Sequence, residues 1–132
     1  MIVLDASAAV EVLLGSPRHA PALRARLARP GESMHVPHLF DLEVLAALRR
    51  HVLRGRLSTD RAAQALAALS DMRAIRYSHS PFRARIWELR ANLTPYDAAY
   101  VALAEALEAP LVTLDRALAE ATGVTAAVEL QA

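Results

Sequence analysis

Cysteine is absent from this 132-residue chain. Disulfides, thiolate nucleophiles and cysteine-based zinc sites are therefore excluded together. Lysine is absent too: all 15 basic residues are arginine, against 14 acids. A chemistry that relies on a lysine amine has no candidate here. Aromatics make up only 5% of the chain and glycines number four, each isolated. No Gly-rich loop exists to cradle a nucleotide phosphate. No apolar run approaches the roughly 18 residues of a membrane span, and no basic stretch precedes the apolar start, so a soluble, cytoplasmic protein is expected. No internal repeat, linker or low-complexity segment divides the sequence, and its length suits one domain over residues 1–132.

What is present is organised around the first nine residues. Ile2-Val3-Leu4 is an apolar run ending abruptly in Asp5, followed by Ser7 within an Ala-rich segment suited to a helix. That pattern reads as a buried strand delivering a carboxylate to its carboxyl end, where open α/β sheets bind their ligands. A second copy of the pattern comes late: Leu111-Val112-Thr113-Leu114 is an apolar strand closed by Asp115. Both acids then emerge on one edge of a parallel sheet. A strand-end Asp is often only the N-cap of the next helix, and either residue is able to cap and bind at once.

Between these two runs, strands and helices alternate. Helices are expected over 7–14, over 19–29 with Arg24, Arg26 and Arg29 outward, and over 39–53 with Leu42, Leu45, Leu48 and Val52 inward. Further helices are expected from Ser58 to about Met72 with Leu66 and Leu69 inward, over 80–93, over 96–107 and over 116–122. Strands are expected at Met34–Pro37, Ala74–Tyr77, Pro110–Leu114 and within 124–130. Alternation of this kind implies a parallel sheet covered by helices on both faces, with right-handed crossovers.

Two more acids join the candidates. Thr94-Pro95-Tyr96-Asp97 matches a capping-box variant with proline at the first helical position, which places Asp97 in a first turn beside the same crevice. Glu43 lies early in its helix, with Ala47, Arg50 and Arg54 following on one face. A surface Glu–Arg pairing explains that face as well as a metal site flanked by phosphate contacts does. None of these signals is specific alone. Four acids from four segments are stronger together, because crowded carboxylates need protons or cations. With oxygen donors only, the expected cation is Mg²⁺, with Mn²⁺ as its substitute. Setting the four acids aside leaves ten acidic residues against fifteen arginines. An acidic pit in a basic surface suits a nucleic-acid backbone.

Together Val3-Leu4-Asp5-Ala6-Ser7-Ala8, the Glu43 helix after Val36-Pro37, the segment Leu93-Thr94-Pro95-Tyr96-Asp97-Ala98-Ala99-Tyr100, and Leu111-Val112-Thr113-Leu114-Asp115 resemble the PIN-domain ribonucleases. Within that family the chain looks like the VapC toxins of toxin–antitoxin pairs. The resemblance implies a three-layer α/β/α fold with a central parallel sheet ordered 3-2-1-4-5, and Mg²⁺-dependent endonuclease cleavage of RNA. Asp5, Glu43, Asp97 and Asp115 fall on the family's acidic positions. Asp5, Asp97 and Asp115 are the expected metal ligands, Ser7 and Thr113 the polar supports beside them, and Arg50 and Arg54 candidate RNA contacts. A homodimer and a VapB-like antitoxin are the partners it implies.

Other readings fit less well. A phosphoaspartyl phosphatase would want an Asp where Ser7 stands, and a receiver-like domain would want a lysine. A PIN-like module that grips RNA or protein without cutting is the principal alternative. The five histidines show no ligand spacing, and Trp87, Tyr96 and Tyr100 are expected to pack rather than to bind substrate.

Overall fold

In a computed structural model, which describes residues 1–131, five strands form one sheet in the order β3-β2-β1-β4-β5, with every neighbouring pair parallel. The strands are β1 (Ile2–Leu4), β2 (Met34–Pro37), β3 (Ala74–Tyr77), β4 (Leu111–Thr113) and β5 (Val128–Leu130). Seven helices accompany them: α1 (Ala6–Leu14), α2 (Ala20–Leu27), α3 (Leu39–Leu53), α4 (Thr59–Asp71), α5 (Arg83–Glu88), α6 (Pro95–Leu107) and α7 (Arg116–Ala119). The expected sheet order and α/β/α layering are both found.

β1 is the middle strand because it is apolar on both faces. Ile2, Val3 and Leu4 are wholly buried, as are Leu111 and Val112 beside them. A parallel strand covered on both sides has no solvent face to mark with polar residues. Its register sets Val3 against His35 on one side and Leu111 on the other, and Leu4 against Val112. The Asp5 amide continues the ladder to the Val112 carbonyl at 2.9 Å. The first residues beyond β1 and β4 therefore leave the sheet on the same edge.

α1 begins at once, and Gly15 ends it in the left-handed region at φ 65°, its amide returning to the Val12 carbonyl. A side chain there would be strained. Ser58 caps α4 through its hydroxyl, which accepts from the Arg61 amide. His35 is buried between the Ser33 and Tyr77 hydroxyls, a packed core histidine as its context suggests.

Three expectations are corrected. The helix expected over 80–93 is a 3-10 turn at Ser80–Phe82 followed by α5, which stops at Glu88. There the Leu89 amide is shared between the Arg85 and Ile86 carbonyls, a tightening that ends the helix. The helix expected to reach residue 122 stops at Ala119. The third correction concerns facing. α3 buries Phe40, Val44 and Leu48, while Leu42 and Leu45 are 69% and 41% exposed, and α4 buries Ala65 and Leu69 while Leu66, expected inward, is exposed. Arg26, expected outward, is buried, its guanidinium bidentate on Glu129 and bonded to Glu32.

Candidate active site

Each expected acid reaches the carboxyl edge of the sheet by a different local device. Asp5 occupies the N-cap position of α1, yet its side chain makes no capping bond. Its Oδ2 instead accepts the Ser7 and Thr113 hydroxyls, each at 2.7 Å. The two hydroxyls are themselves 3.3 Å apart, and they receive the Leu114 and Asp115 amides at 3.1 and 2.9 Å. One oxygen of Asp5 is thus fixed by one hydroxyl from α1 and one from β4, and no hydroxyl is placed on the other.

Asp115 does cap its helix: Oδ1 accepts the Ala117 and Leu118 amides. Only half of the capping box at α6 forms. Thr94 accepts the Asp97 amide at 3.2 Å, and the Asp97 carboxylate is left for the crevice. Glu43 projects from the first turns of α3. Arg50 acts on it only as the weakest of several influences, so a simple Glu–Arg surface pair does not describe it.

All four acids, with Ser7 and Arg50, line one open pocket of about 390 Å³. Arg54 is not among the residues that line it. Their electrostatics are those of an uncompensated cluster. Burial raises the Asp5 carboxyl above its ordinary value despite the two hydroxyls, and Asp115 adds repulsion. Burial, then Asp5 and Asp115, raises Asp97. Burial raises Glu43 as well, with Asp5 and Asp97 pushing the same way. Among the described residues, none of the four enters an ion pair with an arginine or histidine within 4.0 Å.

Two features fit a hard cation. The donor set is all oxygen, and the Glu43 Oε1 atom is buried with no hydrogen-bond partner. The carboxylates are gathered without being clenched: among the described residues, no three acids or histidines already stand in closed metal-binding geometry.

Sequence reasoning missed residues of the same pocket. Glu11 and His51 line it, and the Glu11 carboxylate is bonded to His19 at 3.0 Å. His51 follows Glu43 by eight residues, which returns it to the same face of α3, so helical spacing carried a signal for it. Tyr100, taken as a packing residue, is wholly buried, but its hydroxyl faces Glu43 without a partner.

A parallel sheet in this order, with an acid pit at its carboxyl edge, defines a PIN domain; the PIN domain family model matches residues 2–124, and the chain belongs to that family. Its relatives are more particular. It is 44% identical over all 132 residues, the full length of both chains, to Ribonuclease VapC12 of Mycobacterium tuberculosis. Among solved structures it is similar to VapC20 of Mycobacterium tuberculosis, a sarcin–ricin loop cleaving toxin, with a TM-score of 0.71 at 14% identity, covering 95% of this chain and 97% of that one. It is also similar in fold to VapBC2 of Rickettsia felis, solved bound to a promoter DNA fragment, with a TM-score of 0.67 at 18% identity over the whole of both chains.

Proposed function

We propose that this chain is the toxin of a type II toxin–antitoxin pair, an endoribonuclease that hydrolyses RNA phosphodiester bonds and depends on Mg²⁺, with Mn²⁺ as a substitute. The observation that carries this reading is the convergence of Asp5, Glu43, Asp97 and Asp115, from four separate segments, on one pocket without any cationic side chain paired to them. Full-length similarity to a VapC ribonuclease supports the same activity. A non-cleaving PIN-like module would have no need to keep all four.

Asp5, Asp97 and Asp115 would hold the cation. When bound, it supplies an activated water and a counter-charge for the leaving oxygen. The chain's own residues do the rest. Ser7 and Thr113 fix Asp5 through one oxygen and so aim the other. Glu43, with its burial-raised carboxyl, orients the attacking water in line with the phosphodiester. Arg50, at the far wall of the pocket, offers a guanidinium fork to a backbone phosphate, and Arg54 extends that line along α3.

Partners follow from the surface. Two exposed apolar grooves remain on the described chain, one lined by Leu45, Leu53 and Leu66 and the other by Trp87, Tyr96 and Ile86. Such faces on a small domain mark contact with other chains. A second copy and a VapB-like antitoxin are the expected occupants, and RNA substrate with such a partner implies a cytoplasmic setting. No helix among the described residues is long and apolar enough to cross a membrane.

The test is cleavage of labelled RNA with and without Mg²⁺, beside Asp5→Asn. Wild type is expected to cut only with the divalent ion, and the variant at least about a thousandfold more slowly. Equal cleavage by the two proteins would overturn the assignment.

A further inference from the structure

Two side-chain atoms among the described residues are buried with no hydrogen-bond partner, and they belong to residues that face each other: Glu43 Oε1 and the Tyr100 hydroxyl. One is an acceptor and the other a donor. Leaving either unpaired is costly, and proteins normally avoid it by a small rotation or a water. Tyr100 has no freedom to look elsewhere. Its ring is wholly buried in α6, one turn after Asp97. Around the hydroxyl stand the Glu43 carboxylate, the Asp5 carboxylate and the Ala6 amide at the start of α1. Of these only the carboxylates accept a proton, and Asp5 Oδ2 is already occupied by two hydroxyls. The Ala6 amide is itself a donor, so it leaves the phenolic hydrogen directed at Glu43.

We propose that Tyr100 is a positioning residue for Glu43: its buried hydroxyl has no other role than to donate to Oε1, fixing the direction in which Oε2 enters the pocket. The bond is left open while the four acids repel one another, and closes when the pocket receives positive charge and Glu43 turns. Tyr100 itself does not reach the substrate. The effect on cleavage rests on the nuclease reading; the contact between the two side chains does not.

A double-mutant cycle over Tyr100→Phe, Glu43→Gln and the double variant tests this, because phenylalanine removes only the oxygen. With Mg²⁺ present, Tyr100→Phe is expected to lower kcat for RNA cleavage about tenfold with KM unchanged, while its Tm holds or rises because a buried unpaired group is gone. The double variant is expected to be no slower than Glu43→Gln alone. Wild-type kcat in Tyr100→Phe, or a double variant slowed by the product of the two single effects, would overturn the proposal. Tm is read on all four proteins with saturating Mg²⁺ as an independent arm. Non-additive shifts support the contact even if wild type cuts nothing, and additive shifts overturn it. In that way loss of the nuclease reading and loss of the Tyr100 role give different results.

Discussion

Two sets of carboxylates near opposite edges of this sheet are shifted in opposite directions. At the carboxyl edge, Asp5, Glu43 and Asp97 are raised by burial and by one another. Toward the other edge, Glu32 is held below the usual carboxylate range by the N-terminal amine and Arg26, Glu129 by Arg26, and Glu105 by Arg85. The residue types are the same; the difference is whether an arginine was brought to them. Arg26 joins α2 to β5 across more than a hundred residues of sequence, and Arg85 joins α5 to α6 and to the Gly123 carbonyl. With 15 arginines available, a pit with no paired arginine is a property of the fold rather than a shortage of positive charge. One set of charges holds the molecule together, and the other stays uncompensated within the chain, as the proposed cation site requires.

Removing the compensation at the paired edge should give the largest change in stability. Arg26→Ala removes a buried guanidinium, leaves the part-buried Glu129 without its partner and Glu32 with only the N-terminal amine, and is expected to cost about 3 kcal/mol, read by denaturant unfolding. Arg26→Lys keeps the charge but not the fork, and should recover only part of that loss. If Arg26→Ala is neutral, the network is surface decoration.

At the pit the same kind of change should act in reverse. Asp5→Asn keeps an oxygen for the Ser7 and Thr113 hydroxyls but removes a crowded charge. Without divalent ions at neutral pH it is expected to stabilise the protein, on the order of 1 kcal/mol. The pH dependence gives the sign. An acid whose pKa is raised in the folded state holds its proton there after the unfolded chain has lost it. Its contribution to stability therefore falls as pH rises from about 4 through the raised value. The gain from Asp5→Asn should shrink as pH falls toward the ordinary carboxylate value, because Asp5 then carries its proton in the folded and the unfolded chain alike. Glu32, Glu105 and Glu129 act oppositely: their contribution is present above the ordinary carboxylate value and is lost as pH falls through the lowered one. Mg²⁺ at about a hundred times its Kd should add about 2.7 kcal/mol to wild type and markedly less to Asp5→Asn. A variant stabilised equally by Mg²⁺ would show that the ion binds elsewhere.

How much of this was legible in the sequence depends on how far apart the partners are. Strand-end acids were readable because each is announced by the apolar run just before it, and all four expected acids do line one pocket. The layering followed from alternation, and the strand order from the resemblance. Arg26 was misread because its partner Glu129 lies on another element, and a helix pattern alone makes any arginine look outward. α3 was misread for a different reason. Leu39, Phe40, Leu42, Val44, Leu45 and Leu48 surround much of its circumference, so periodicity offered two apolar faces and the core took the one bearing Phe40 and Val44. The other face, with Leu42 and Leu45 exposed, is left uncovered by the described residues of this chain. Tyr100 was legible as buried and illegible as a donor, since only three dimensions set its hydroxyl against Glu43.

The finest distinction between the two kinds of charge concerns two arginines on one helix. Arg50 on α3 and Arg54 at its C-cap are both exposed, four residues apart, and both follow Glu43 on its face, yet only Arg50 lines the pocket. If Arg50 serves the substrate backbone as Arg26 serves Glu129, its loss should remove one phosphate contact. RNA binding by Arg50→Ala, measured in Ca²⁺ to prevent turnover, should then show a log–log salt dependence shallower by about 0.7. Arg54→Ala should leave that slope nearly unchanged and alter only affinity at low salt, because a charge outside the pocket steers the strand without touching it. Equal slopes for the two variants would mean that α3 presents a diffuse basic stripe, and that the pocket's far wall ends before Arg50.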